Sequence, residues 1–261
     1  MEFILNWHPV IVIIILSIIT VSISYIGLKY VRKKFAEEVL IQNHEVGSFI
    51  FNAFGLIYAV LVAFVVYVTW SEYNDSQKNT DLEVIKLTNV YYFSNTLPED
   101  VKQQTLILLK EYINSVINEE WNELAYMKHS ENTTHKYKNL VIYLVTLNSD
   151  SLNNKFAYHE MLMQLDKAGE CRKTRIFDSV NNIPSIMWIV LIFGALVTII
   201  YTYFFFTKNL NHQFVMTSTL TVLNTMILYM IYVFDNPYRG YLKLKYSALI
   251  HLLDLINNKL M

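Results

Sequence analysis

Four stretches of almost unbroken apolar residues run approximately from Pro9 to Leu28, Phe49 to Trp70, Ile186 to Phe206 and Phe214 to Phe234. Each meets the length of about 20 residues that a helix needs to cross a hydrocarbon core of roughly 30 Å. Between the second and third lies a polar region, Ser71 to Ile183, with a different rhythm. Here Ile113, Val116, Ile117, Trp121 and Leu124 recur at three- and four-residue spacing, while Lys110, Glu111, Asn114 and Glu119 take other faces. That period predicts amphipathic helices. A single glycine, Gly169, and a single proline, Pro98, leave too little punctuation for strands joined by tight turns.

The spacing predicts helices near 71–95, 98–127, 135–148 and 151–181, the outer ones free to extend the membrane spans, with a loop around "KHSENTTH". In "NTLPED", Thr96 suits a cap, Pro98 a first turn, and Glu99 and Asp100 the positive end of the dipole. The pattern therefore predicts an all-α integral membrane protein, with four transmembrane helices and a long helical bundle inserted between spans 2 and 3. The expected divisions are residues 1–70 (first transmembrane hairpin), 71–183 (polar bundle), 184–234 (second hairpin) and 235–261 (interfacial C-terminal tail).

Composition agrees. The chain is 54% hydrophobic and only 16% charged, too apolar for an ordinary soluble domain. A net charge of −1 gives no bulk attraction for nucleic acid. Cys171 is the only cysteine, which excludes an intrachain disulfide and any metal site of several thiolates. The first apolar stretch has no basic segment before it and no small-residue cleavage site, so it reads as a retained span. Trp7, Trp70 and Trp188 lie near span ends, where aromatic anchors collect. Lys29, Arg32, Lys33 and Lys34 follow the first span and no Lys or Arg precedes it. By the positive-inside rule this places the N-terminus and the bundle on the extracytoplasmic side, although basic residues near the other spans pull the opposite way.

Several separated motifs carry a family resemblance: "NHEVGSFIFNAFGLIYAVLVAFVVYVTWSEY", "YINSVINEEW", "IPSIMWIVLIFGALVTI" and "DNPYRG". Together they cover most of the chain from Asn43 to Gly240, and the chain resembles the bestrophin-like family of four-span membrane proteins. The matching positions are Gly55, Tyr58, Phe64, Trp70, Glu120, Trp121, Pro184, Trp188, Asp235, Pro237 and Gly240. Because the family is compared with bestrophin anion channels, the resemblance implies a homo-oligomer around a pore. The aromatic neck sequences by which bestrophins themselves are recognised do not occur, so no pore residue carries over.

Two polar stripes within spans are candidates for pore lining or for helix packing. Gly55, Ala59 and Ala63 form a small-residue face extended by Asn52, and Thr217, Thr221, Asn224 and Thr225 form a second stripe. An even number of spans separates the central bundle from the tail. Arg172, Lys173 and Arg175 should therefore share a compartment with Arg239, Lys243 and Lys245, either as a basic vestibule or against lipid headgroups. Asp235 and Arg239 in "DNPYRG" suit a helix terminator or a gate. Enzymatic chemistry has little footing. His44-Glu45 and His159-Glu160 begin like zinc-protease motifs but have Ser48 and Met163 where the second histidine belongs. Glu119 and Glu120 read as edges of one helix, and neither a cofactor nor a metal is expected. The function expected is an anion-conducting channel with the lipid bilayer and small anions as its partners. The alternative is a membrane-anchored sensor or scaffold whose bundle binds a partner.

Overall fold

The computed structural model describes residues 5–42, 44–148 and 154–260, and every regular element among them is helical. Four helices are long and apolar enough to cross a membrane. The first, α1 (Pro9–Lys34), starts with Pro9 where a missing amide costs little and ends with Arg32, Lys33 and Lys34 at its negative pole. A short α2 (Glu37–Gln42) leads to α3 (His44–Ser94). The expected helix at 71–95 is the continuation of α3. Neither glycine nor proline interrupts the sequence after Trp70, and the helix runs on without a break for 51 residues.

In α4 (Glu99–Ser115), Pro98 takes the cap position and Glu99 and Asp100 the first turn, while Thr96 donates its hydroxyl to the Phe93 carbonyl. A π turn, Val116–Glu120, joins α4 to the short α5 (Trp121–Leu124). Ser130 caps α6 (Glu131–Val145) by accepting from the Thr133 amide at 3.1 Å. Asn154 caps α7 (Lys155–Val180) in the same way through Ala157. The expected start of that helix at 151, like Asn43 of the first motif, lies outside the described residues. Pro184 precedes α8 (Ser185–Phe204), Asn209 caps α9 (Leu210–Phe234), and the tail contains an amphipathic helix, α10 (Ser247–Leu260).

The chain forms two compact units. The first comprises the described residues up to Glu72, with Ile183–Asp235 and Gly240–Leu242. Its packing is a set of small clusters: Leu5 and Val12 against Tyr229 and Val233, Leu28 and Val31 against Tyr203, and Val62 and Val65 against Leu191 and Ile231. A Cβ at Gly194 would fall on the Tyr58 ring, so glycine there allows α3 to approach α8. Large apolar side chains remain uncovered, with Phe49 77% and Ile57 71% exposed. In water such a surface would be an aggregation site, and in a bilayer it is an ordinary lipid or subunit contact.

The second unit comprises Tyr73–Asn182, Asn236–Arg239 and the described residues from Lys243. It has one continuous core, in which Leu87, Leu106, Leu109, Ile113, Leu140, Leu144 and Met161 are fully buried. Leu249, Leu252 and Ile256 of α10 complete it.

Candidate functional site

The two intramembrane stripes have different surroundings. On α9, Thr217, Thr221 and Asn224 are buried and Thr225 is half-buried. Thr217 and Thr202 share a hydrogen bond of 3.0 Å, and Thr221 donates to Ser24 at 3.3 Å. Asn224 donates to Thr198 at 3.2 Å, and Thr225 and Thr20 share a bond of 2.9 Å. The Tyr203 hydroxyl also donates to Ser24, and Gln213 bonds the Thr202 and Tyr203 carbonyls. These polar groups satisfy one another between α1, α8 and α9 within a single protomer.

On α3 the opposite holds. Asn52, Ala59 and Ala63 are exposed, and a Cβ built on Gly55 would meet nothing within 4 Å. Phe64 and Trp70 are also exposed, whereas Tyr58 turns inward and donates its hydroxyl to the Leu191 carbonyl at 3.0 Å. The small-residue face is therefore open, carrying one amide side chain among apolar neighbours.

At the end of α9, Asp235 accepts hydrogen bonds from the Ile183 amide at 2.7 Å and from Trp188 Nε1 at 3.3 Å. A carboxylate thus fastens the last turn of one span to the start of another, just beside Pro184. Gly240 adopts φ +78°, and any Cβ there would strike the Leu5 carbonyl, which accepts from the Tyr241 amide at 2.7 Å. Glycine is required by both the backbone angle and the close approach. In the second unit, Pro237 supplies the carbonyl that receives the Leu244 amide at 2.8 Å, and Arg239 donates to the Ala125 carbonyl.

The basic residues separate into two kinds. Lys173, Lys243 and Lys245 are exposed. Arg172 and Arg175, grouped with them in the sequence reading, are buried in the core of the second unit. Arg175 donates to Glu83 at 2.8 Å and to Glu120 at 3.0 Å, and Arg172 donates to Glu120 and to Thr134. Two cations and two carboxylates form a neutral buried group, flanked by the Trp121 ring 5.4 Å from the Arg175 guanidinium carbon. Burial opposes charge on Arg175, but Glu83 and Glu120 outweigh it and raise its pKa above the ordinary value. The Tyr112 hydroxyl, donating to Glu83 at 2.8 Å, is pushed well above its ordinary value by burial and then by that carboxylate. Glu120 closes the π turn and its neighbour Trp121 opens the next helix, and both point inward, 0% and 2% exposed.

Glu83 and Tyr112 were not singled out by the sequence reading. Their signal is their register, because Glu83 stands four residues before Leu87 and seven before Val90 on the buried face of α3. Among the described residues, no group of three or more His, Cys, Asp or Glu side chains is arranged to hold a metal ion.

A family model described as the bestrophin-like domain matches residues 14–249. No curated protein matches the sequence. Among solved structures, a tryptophan-to-alanine variant of a bacterial bestrophin homologue from Klebsiella pneumoniae superposes with a TM-score of 0.69 at 14% identity, covering 97% of this chain and 98% of that one. An isoleucine-to-threonine variant of the same homologue gives 0.66 at 14% identity, covering 95% and 98%. At this identity the likeness is one of fold. The family match spans nearly the whole sequence, and the chain belongs to the bestrophin-like family of membrane proteins.

Proposed function

We propose that the protein is a homo-oligomeric ion channel that conducts small anions. Its four apolar helices cross the membrane, and the polar helices between spans 2 and 3 form a bundle on the extracytoplasmic side. The observation that carries this reading is the open face of α3. Of the two polar stripes, that of α9 is consumed within the protomer, whereas Asn52, Gly55, Ala59 and Ala63 have room for a neighbouring copy or an aqueous path. Exposed Lys173, Lys243 and Lys245 supply a basic rim that raises local anion concentration. The resemblance of the family to bestrophin anion channels supports the same class.

The test is current through planar bilayers containing the purified protein under a chloride gradient. A current reversing near the chloride equilibrium potential is expected. An assembled protein that stays silent across voltage, pH and calcium would contradict the channel. The second reading, a membrane-anchored sensor or scaffold, is favoured by uncovered apolar residues on the second unit, among them Val145 and Phe156. Silent bilayers together with a stoichiometric bound partner would select it.

A further inference from the structure

Trp121 and Leu124 fix α5 in the core of the second unit, and the chain then stops the helix tightly. The Met127 amide donates to the Leu124 carbonyl at 3.0 Å and the Lys128 amide to the Glu123 carbonyl at 3.1 Å. This pair of bonds is a common way to end a helix on a left-handed residue, and that residue is usually glycine. Here it is Met127, with φ 60°, and no other residue besides glycine has a positive φ among the described residues. A Cβ makes this angle costly, and strain kept where glycine would relieve it points to a use for the side chain. The turn is pinned on both sides. Arg239 donates to the Ala125 carbonyl, and buried Ser130 caps α6. Between these pins Tyr126 is 59% and Met127 42% exposed.

The level of this tip follows from the chain. Arg239 comes shortly after Phe234, the last residue of α9, and directly before Gly240, which packs on the Leu5 carbonyl just ahead of α1. Leu5 and Val12 pack against Tyr229 and Val233 at that same end of the first unit. Both chain neighbours therefore hold Arg239, and the carbonyl it binds, near the level where two spans leave the hydrocarbon. Exposed Trp7 and Tyr241 stand in the same stretches, as aromatic anchors at an interface do. Charge does not select the partner, because Glu123 and Glu131 flank Lys128 and His129. An exposed aromatic ring and thioether at the edge of a span suit the boundary between headgroups and acyl chains.

We propose that the tip formed by Tyr126 and Met127 inserts into the headgroup layer of the bilayer, as a membrane anchor separate from the four spans. It requires the spans to cross a bilayer and is independent of conduction.

The test places a fluorophore on the full chain. In a Cys171→Ser background, Met127→Cys and Tyr126→Cys are labelled with an environment-sensitive dye. The reference is Asn95→Cys, an exposed position just past the end of α3 that lies away from its span. The protein is placed in phosphatidylcholine nanodiscs, which leave both faces open to solvent. Lipid brominated near the headgroup end of its acyl chains should quench the two tip probes by roughly half and leave the Asn95→Cys probe unchanged, while aqueous iodide should do the reverse. Met127→Gly beside the Tyr126→Cys probe should weaken the lipid quenching yet raise the melting temperature in detergent by a few degrees, since glycine removes the side chain and the strain together. Circular dichroism and elution volume check that each variant is folded. Iodide quenching at the tip equal to that at Asn95→Cys, with no effect of brominated lipid, would overturn the proposal. Shielding of the tip from both quenchers would also overturn it, because a second copy or another protein then covers Tyr126 and Met127. Unchanged lipid quenching in the Met127→Gly variant would remove Met127 from the anchor.

Discussion

At the scale of single residues, the buried charge group is the most consequential feature of the second unit. Arg172 and Arg175 follow Met161, Leu165 and Ala168 at alternating four- and three-residue steps, all on the buried face of α7. That register was legible in the sequence, but clustering with Lys173 made the three look like one solvated patch, and the carboxylates needed to neutralise them come from distant helices. Removing one partner strands a buried charge, which is strongly destabilising. Arg175→Leu is therefore expected to cost about 3–5 kcal/mol in denaturant unfolding of the detergent-solubilised protein. Lys173→Gln, on the exposed side of the same helix, should change stability by no more than about 0.5 kcal/mol. Gly240→Ala should also lower the melting temperature, because the added methyl must displace the Leu5 backbone as well as adopt a positive φ.

At the scale of elements, apolar runs and caps made the four long helices readable, while the identity of each polar stripe's neighbour was not. A stripe in one sequence shows only that a face differs from the rest of its helix. Thr217, Thr221 and Asn224 could equally have faced water or, as the fold has it, Thr202, Ser24 and Thr198. The π turn was hidden for a similar reason, since five residues with ordinary helical propensity carry no mark of one extra residue per turn. The open stripe of α3 gives a separable expectation. Gly55→Leu and Ala59→Leu should reduce oligomer mass in size-exclusion light scattering while leaving helix content intact. Gly194→Leu should instead disturb the protomer, because its side chain would occupy the place of the Tyr58 ring. Equal elution of wild type and both α3 variants would remove that face from the subunit interface.

For the molecule as a whole, orientation rests on Lys29, Arg32, Lys33 and Lys34 after the first span. A cysteine replacing exposed Asn118 in a Cys171→Ser background should react with an impermeant thiol reagent on intact cells, and labelling only after lysis would reverse the topology. Lys243→Gln with Lys245→Gln should lower anion conductance more at low salt than at high, since screening weakens a surface charge's hold on nearby ions. These expectations converge on one arrangement, several copies around an axis with the open face of α3 turned towards neighbours or the path. A structure of the assembled protein in lipid tests it most directly. The arrangement calls for a closed ring in which Asn52, Gly55, Ala59 and Ala63 border a continuous axial cavity or the contact that encloses it. A monomer, or a ring with no continuous cavity and this face turned to lipid, would contradict it.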